Sequence, residues 1–169
     1  MKETLTATLA LLEEQRLVQE RLLALSEEKQ QVILRNDTER LREIVAEEYQ
    51  LLGRMKTIEK RRLSQAEAFA RETGVPVEDV TVSLLSDHAE GEDRKHLLGL
   101  QAALLKLLTE LRRLNELNHG LLETQLQYTG LMLSAIGDTA DPLNNFYGTD
   151  GKSSSADIRS GSGLFDTEI

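Results

Sequence analysis

The sequence of 169 residues contains no cysteine, no tryptophan and only two prolines. Without cysteine the chain has no disulfide framework, no thiolate nucleophile and no thiolate metal site. Aromatic residues make up only 4% of the chain, so leucine must supply most of the core. The scarcity of proline and the 29% share of charged residues are typical of long helices rather than of a sheet protein with many turns.

Long apolar runs and export signals are missing as well. No apolar stretch approaches the roughly 18–20 residues that a membrane span needs. The start, MKETLTATL, has an acid at position 3 and lacks the continuous apolar segment of a secretory signal. These absences predict a soluble, cytoplasmic protein without direct membrane insertion.

The net charge of −9 is concentrated in two parts of the chain. Residues 75–96 contain six acidic and two basic residues, and residues 137–169 contain the same numbers of each. The other segments are close to neutral and show no basic stripe for neutralising phosphates. The pattern disfavours nucleic acid and an anionic membrane surface as partners.

Apolar residues recur at intervals of three and four in three long segments. In the first, Leu11, Val18, Leu25 and Val32 are spaced by seven, with Gln15 and Lys29 as polar exceptions on the seam. Such spacing places one apolar stripe along a helix. The pattern predicts long helices over about residues 2–35, 37–73 and 90–136, and a short helix near 81–86.

A break at RNDT, residues 35–38, separates the first two predicted helices. Asn36 and Glu39 have the spacing of a capping box, which predicts Asn36 as the N-cap of the second helix. So short a connection implies an antiparallel hairpin. Gly74 and Pro76 fit the end of the second helix. The predicted fold is all-α, with a long antiparallel helical hairpin and a third long helix in a bundle or coiled-coil-like arrangement.

The composition changes after the third helix. The segment GDTADPLNNFYGTDGKSSSADIRSGSGLFDTEI is rich in glycine, serine and aspartate and has no period. This predicts a helical domain over residues 1–136 and a disordered, flexible acidic tail over 137–169.

The sequence offers no evident catalytic or metal-binding constellation. The three histidines lack metal-ligand spacing, and adjacent glutamates such as Glu13 and Glu14 point about 100° apart on a helix. Gly148 and Gly151 precede no predicted helix and therefore form no phosphate-binding loop. We expect no catalysis, no cofactor and no metal.

The third helix has the widest apolar face, about half of the circumference, and its seam includes two amides, Asn118 and Gln125. A buried amide without a partner costs on the order of 1–3 kcal/mol, and coiled coils keep such residues where they fix register or partner choice. Alternatively, water satisfies both amides at a loosely packed end of the bundle. The wide face itself is explained equally well by an external partner or by coverage from the chain's own elements or a second copy.

Three stretches that together cover most of the chain have a family resemblance. They are RNDTERLREIVAEEYQLL with the later IEKRR, LRRLNELNHGLLETQLQY with its LN-x-LN core, and FYGTDG followed by GLFDTEI. In this order they resemble the FlgN-type flagellar export chaperones. The resemblance implies a cytoplasmic chaperone of flagellar type III export, which binds C-terminal helical segments of hook–filament junction proteins. It would prevent their premature assembly and deliver them to the export gate.

The same resemblance implies two sites. The client-binding groove would lie on the third helix, with the two amides setting register. Its residues are Leu107, Leu111, Leu114, Asn118, Leu121, Leu122, Gln125, Tyr128 and Met132. The tail would dock to an export-gate component through Phe146 and Tyr147, with Leu164 and Phe165 as a weaker motif, or it would fold back and shield the free groove.

A rival interpretation belongs to another class of protein. The chain would be a structural coiled-coil homo-oligomeriser or adaptor without an export client, and its wide apolar face would be a homomeric interface. A monomer at micromolar concentration would argue against this interpretation. A weak homodimer of the free protein is left open.

Overall fold

The computed structural model describes residues 2–137, and the predicted tail beyond them lies outside the described residues. The described chain forms α1 (Lys2–Leu34), α2 (Thr38–Thr73), α3 (Val82–Asp87) and α4 (Gly91–Gly137), with a 3-10 helix at Val77–Asp79. Within this range there is no strand. The predicted all-α class, a long hairpin followed by a third long helix, is confirmed.

The turn between α1 and α2 differs from the prediction in its capping residue. Asn36 has a left-handed backbone with φ of 58°, a conformation that asparagine tolerates better than most residues. The N-cap of α2 is Asp37, which accepts a hydrogen bond from the Arg40 backbone N–H at 3.0 Å. The prediction of Asn36 as the N-cap is therefore wrong, because this residue reverses the chain instead. Gly74, with φ of 76°, ends α2.

The hairpin of α1 and α2 is held by a largely apolar seam. We name the heptad positions 11, 18, 25 and 32 of α1 the α2-facing series, since their side chains pack with α2. The buried members of this core are Leu11, Val18, Leu25, Val32, Ile44, Leu51 and Ile58. Lys29, one of the two polar exceptions on the seam, pairs with Glu48 of α2 through a Nζ–Oε2 distance of 2.6 Å. Both charges are thereby compensated although the side chains are only 14% and 16% exposed.

A second apolar cluster joins the start of α1, the end of α2, α3 and the start of α4. Its buried members are Leu5, Leu9, Leu12, Phe69, Val82, Leu85, Ala89, Leu97 and Leu100. Phe69 is completely buried, and its ring lies edge to face with His88 at a centroid distance of 5.2 Å. The hydroxyl of Thr81 caps α3 by accepting from the Leu84 backbone N–H at 3.1 Å. We name this cluster the anchor, since it ties α4 to the hairpin.

The long helix α4 belongs to two compact units. Of the described residues, 2–122 form the first unit and 123–137 belong to the second. The units divide α4 after Leu122, and the domain boundary predicted after residue 136 stays a prediction. Among residues 2–137, no helix combines the length and apolar character needed to cross a membrane.

Candidate functional site

The predicted groove residues of α4 divide into two sets, and those of the first unit are largely covered. This first set is Leu107, Leu111, Leu114, Asn118, Leu121 and Leu122. Leu111, Leu114 and Asn118 are 8%, 3% and 3% exposed, and the other three are half-buried. The helix therefore turns these side chains toward the protein's own interior. Their contact with a client stays a prediction.

Asn118 joins α4 to α1. Its Nδ2 donates a hydrogen bond to the backbone carbonyl of Ser26 at 2.8 Å, and the Ser26 hydroxyl lies 3.5 Å from Oδ1 of Asn115. A buried directional contact of this kind is satisfied in only one register of the two helices. The seam amide thus has an intramolecular role, and its predicted role toward a client stays a prediction.

The face of α1 that packs against α4 contains polar residues that the sequence reasoning missed. We name the heptad positions 5, 12, 19, 26 and 33 of α1 the α4-facing series. Its members, all buried, are Leu5, Leu12, Gln19, Ser26 and Ile33. Leu5 and Leu12 pack with Leu97 in the anchor, and Ser26 contacts Asn118. The seven-residue spacing, offset by one position from the α2-facing series, is the signal that identifies this face in the sequence.

Two amide oxygens in this region are buried without a hydrogen-bond partner among the described residues. They are Oδ1 of Asn118 and Oε1 of Gln19. The residues themselves are only 3% and 6% exposed. Burial of an amide oxygen that has no donor among the described residues opposes the packing of the side chain that carries it.

The second set of predicted groove residues lies in the second unit and is more accessible. Gln125 is half-buried, whereas Tyr128 and Met132 are 59% and 48% exposed. Four further large side chains on this part of α4 are 63–72% exposed. We name the six exposed residues the exposed apolar segment: Leu126, Tyr128, Leu131, Met132, Leu133 and Ile136. The sequence reasoning did not assign Leu126, Leu131, Leu133 or Ile136 to the site.

The exposed apolar segment has no charge of its own. From Thr124 to Gly137 the sequence contains no acidic or basic residue. At about 100° per residue, Leu126 and Leu133 lie on one side of the helix and Leu131 on the other. A helix that is apolar on more than one side normally lies inside a larger core or against a partner. The run of uncharged residues is the sequence signal that identifies these four additional residues.

Charged side chains are arranged as surface ion pairs that join helices. Arg21 of α1 and Glu47 of α2 are 2.6 Å apart, and Glu28 of α1 lies 2.6 Å from Arg40 of α2. The hydrogen bond from each arginine lowers the pKa of its carboxylate partner. In the part of the chain that the structure describes, no group of three or more metal-ligating side chains occurs.

The profile of the FlgN protein family matches residues 1–155 of the chain. The chain belongs to the FlgN family. This confirms the resemblance drawn from the three sequence stretches, and FlgN proteins are flagellar export chaperones. No curated protein and no solved structure matches the chain.

The FlgN match includes both sets of groove residues on α4 and extends over Phe146 and Tyr147. These two residues lie outside the described residues, as do Leu164 and Phe165, which also lie beyond the match. The predicted docking motif therefore stays a prediction.

Proposed function

We propose that this FlgN-family protein is a cytoplasmic chaperone of flagellar type III export. It binds C-terminal helical segments of hook–filament junction proteins, prevents their premature assembly and delivers them to an export-gate component. The observation that carries this proposal is the exposed apolar segment of α4, whose six large side chains lie in a run without charge.

The physical support is the cost of leaving these side chains in water. Burying a large aliphatic side chain contributes about 1.5–3 kcal/mol, so several of them supply enough free energy to hold an amphipathic helix. Part of that gain is spent on ordering the client segment, which leaves a complex that can still release its client. The absence of charge suits a partner that contributes its own apolar stripe.

A second candidate function uses the same segment for self-association. The run from Thr124 to Gly137 has no charge, so nothing in it repels a second copy of the chain. The protein would then be a structural homo-oligomeriser or adaptor without an export client. A stable oligomer that ignores junction-protein segments is the result expected from this alternative.

Light scattering and titration calorimetry distinguish the two functions. The probe is a synthetic C-terminal helical segment of a hook–filament junction protein from the same organism. The chaperone proposal predicts a free monomer or weak dimer that converts to a one-to-one complex. A tight homo-oligomer whose mass and heat do not change on adding the segment would overturn it.

A pair of matched variants tests the position of the client site. The double variant Leu126→Gln, Leu133→Gln keeps good helix formers while removing apolar surface from the exposed segment. The control is Leu52→Gln, Leu63→Gln on α2, where the side chains are 47% and 54% exposed. The first variant should lose at least about tenfold in affinity for the client segment, since a factor of ten corresponds to 1.4 kcal/mol. Equal affinities of the two variants would place the client elsewhere.

Delivery to the export gate is assigned to the tail. Phe146 and Tyr147 are the proposed docking residues, with Leu164 and Phe165 as the weaker motif. Deleting residues 138–169 tests the assignment with two binding measurements. Lost binding to the gate component with unchanged client affinity supports docking. Increased client affinity would instead mean that the tail shields the client site.

A further inference from the structure

The attachment of α4 to α1 changes in character along the helix. Leu97 and Leu100 are buried in the anchor, but Leu111 and Leu114 belong to neither apolar cluster although both are buried. Cα atoms of α1 and α2 repeatedly come within 8 Å of each other, whereas those of α1 and α4 rarely do. Over its whole length, α4 therefore lies farther from α1 than α2 does, and beyond the anchor neither apolar cluster includes its buried leucines.

The contact beyond the anchor also contains the polar groups of the α4-facing series. Asn118 reaches the Ser26 carbonyl with its nitrogen, but its oxygen has no partner among the described residues. The same holds for the oxygen of Gln19. Separation of α4 from α1 would let water reach both oxygens and recover the hydration that burial removes. The α2-facing series is a different face of α1, so the hairpin core need not change.

We propose that the stretch of α4 from Leu105 to Leu122 separates reversibly from α1 while the anchor stays formed. We further propose that the separated stretch presents Leu111 and Leu114 to the helical segment of the client. The second statement rests on the proposed function; the first does not. The occupant is an amphipathic helix, because this face of α4 already packs against such a helix, α1.

The separation of α4 from α1 affects client binding because it sets the fraction of protein molecules that are in the open form. A client that binds only the open form shows an apparent affinity reduced by that fraction. In this scheme, Asn118 affects both the register and the stability of the closed form. Its hydrogen bond to Ser26 sets the closed register, and its unpartnered oxygen keeps the closed form only marginally favoured.

The absence of cysteine makes the opening directly measurable in the full-length protein without a client. Leu114→Cys, Leu97→Cys and Leu25→Cys place single thiols at positions that are 3%, 0% and 0% exposed. Labelling rates with a thiol reagent, compared at equal global stability, report local opening. We expect Leu114→Cys to react at least about tenfold faster than the two controls, the ratio that 1.4 kcal/mol corresponds to. Equal rates at all three positions would overturn the opening.

A second variant tests whether the unpartnered oxygen of Asn118 promotes the separation of α4 from α1. Asn118→Leu removes the unpartnered oxygen together with the hydrogen bond to Ser26, and it adds apolar contact with the same number of side-chain heavy atoms. Added to Leu114→Cys, it should slow labelling at least about threefold while leaving Leu97→Cys unaffected. An unchanged or faster rate would overturn the role of the seam. Because Leu is a good helix former, loss of helix does not explain either result.

A reversible lock tests the link to the client. Glu27→Cys and Arg113→Cys place thiols on exposed, neighbouring positions of α1 and α4, and a short reducible crosslinker joins them. The matched control is Arg21→Cys with Glu47→Cys, which joins α1 to α2 where the native side chains are 2.6 Å apart. The α1–α4 lock should weaken binding of the client segment at least about tenfold, and reduction should restore it. The control lock should change nothing.

The outcomes separate this inference from the proposed function. If the unlocked protein does not bind the segment, the proposed function fails, while thiol labelling still decides whether α4 opens. If the unlocked protein binds and the α1–α4 lock leaves its affinity unchanged, the client uses the closed form. In that case the presentation of Leu111 and Leu114 is overturned.

Discussion

The two heptad series of α1 are buried to a similar extent but differ in chemistry. The α2-facing series has leucine or valine at each of positions 11, 18, 25 and 32, and its cluster runs along the hairpin. The α4-facing series begins with two leucines in the anchor and continues with Gln19 and Ser26. The hairpin seam also includes Gln15 and Lys29, but both are paired with side chains of α2. A seam whose few polar groups are paired makes a contact that persists, whereas one with unpaired polar groups is specific in register and weak in free energy.

This difference matches the separate roles that we propose for the hairpin and for α4. The hairpin is the scaffold, and α4 is fastened to it at one end by the anchor. The stretch beyond the anchor is held by Leu111, Leu114 and a hydrogen bond from Asn118. The exposed apolar segment follows in the second unit. Weak attachment is a liability for a purely structural protein but useful for one that must bind and release a client.

The largest expected effect tests whether the two contacts differ in stiffness. Leu25→Ala, in the hairpin core, should lower the free energy of unfolding by about 2–5 kcal/mol, since neighbouring helices cannot collapse into the cavity. Leu114→Ala removes a side chain buried to a similar degree, 3% against 0% exposed. Its loss should be less than half as large, because α4 can shift toward α1. Urea denaturation followed by circular dichroism measures both values. Equal losses would contradict the comparison.

The next prediction concerns a substitution that makes the α4-facing series more apolar, as the α2-facing series already is. Gln19→Leu removes a buried oxygen that has no partner among residues 2–137, and should raise the free energy of unfolding by about 1–2 kcal/mol. The control is Gln15→Leu, which is also buried but loses a hydrogen bond from Arg62 at 3.3 Å. That variant should gain nothing. A gain of the same size in both would mean that added apolar surface, rather than the unpaired oxygen, is responsible.

A smaller effect asks whether α4 unfolds together with the hairpin. Gly53 of α2 and Gly99 of α4 are helical, and a Cβ added at either position meets nothing within 4 Å. Each change to alanine should raise stability by roughly 0.5–1 kcal/mol through helix propensity alone. Thermal unfolding should shift equally for both variants if the molecule unfolds in one step. A shift from Gly53→Ala without one from Gly99→Ala would show that α4 is lost before the main transition.

The smallest effect concerns the ion pairs across the hairpin. The hydrogen bond from Arg21 lowers the pKa of Glu47 in the folded protein, so this pair stabilises the fold above the ordinary glutamate pKa. Its contribution is lost as the pH falls through the lower folded value. Glu47→Gln should therefore make the free energy of unfolding fall slightly less steeply as the pH drops through the acidic range. Near neutral pH, the dependence of that free energy on pH should be the same as in the unmodified protein. Unfolding curves across the acidic range provide the check, and an unaltered acid slope would contradict this sign.

Much of the architecture was predictable because helix boundaries depend on local chemistry. The three-four spacing of apolar residues requires a helix wherever it occurs, and Gly74 followed by Pro76 ends α2 because glycine adopts a left-handed backbone freely. The N-cap shows where local reasoning stops. Asn36 and Asp37 are both suitable capping residues, and the backbone geometry of the turn selected Asp37.

The apolar stripe that contains the candidate site was predictable for the same reason, whereas its role in binding a client stays a prediction. The spacing identified Tyr128 and Met132 on the accessible part of α4, and the family match came from the sequence alone. The resemblance also assigned Leu111 and Leu114 to the client groove, and these side chains are buried in the structure, so their contact with a client stays a prediction. A heptad pattern states that a stripe must be covered, but it does not state by what.

By itself, the sequence determined the family, the four helices and the stripe of α4 that avoids water. Only the tertiary structure decided that α1 covers one part of this stripe and that Asn118 donates to Ser26. The physical reason is that the hydrophobic effect has no direction, so periodicity cannot choose among apolar partners. That choice depends on the register between two helices far apart in the chain, which directional contacts such as this hydrogen bond define.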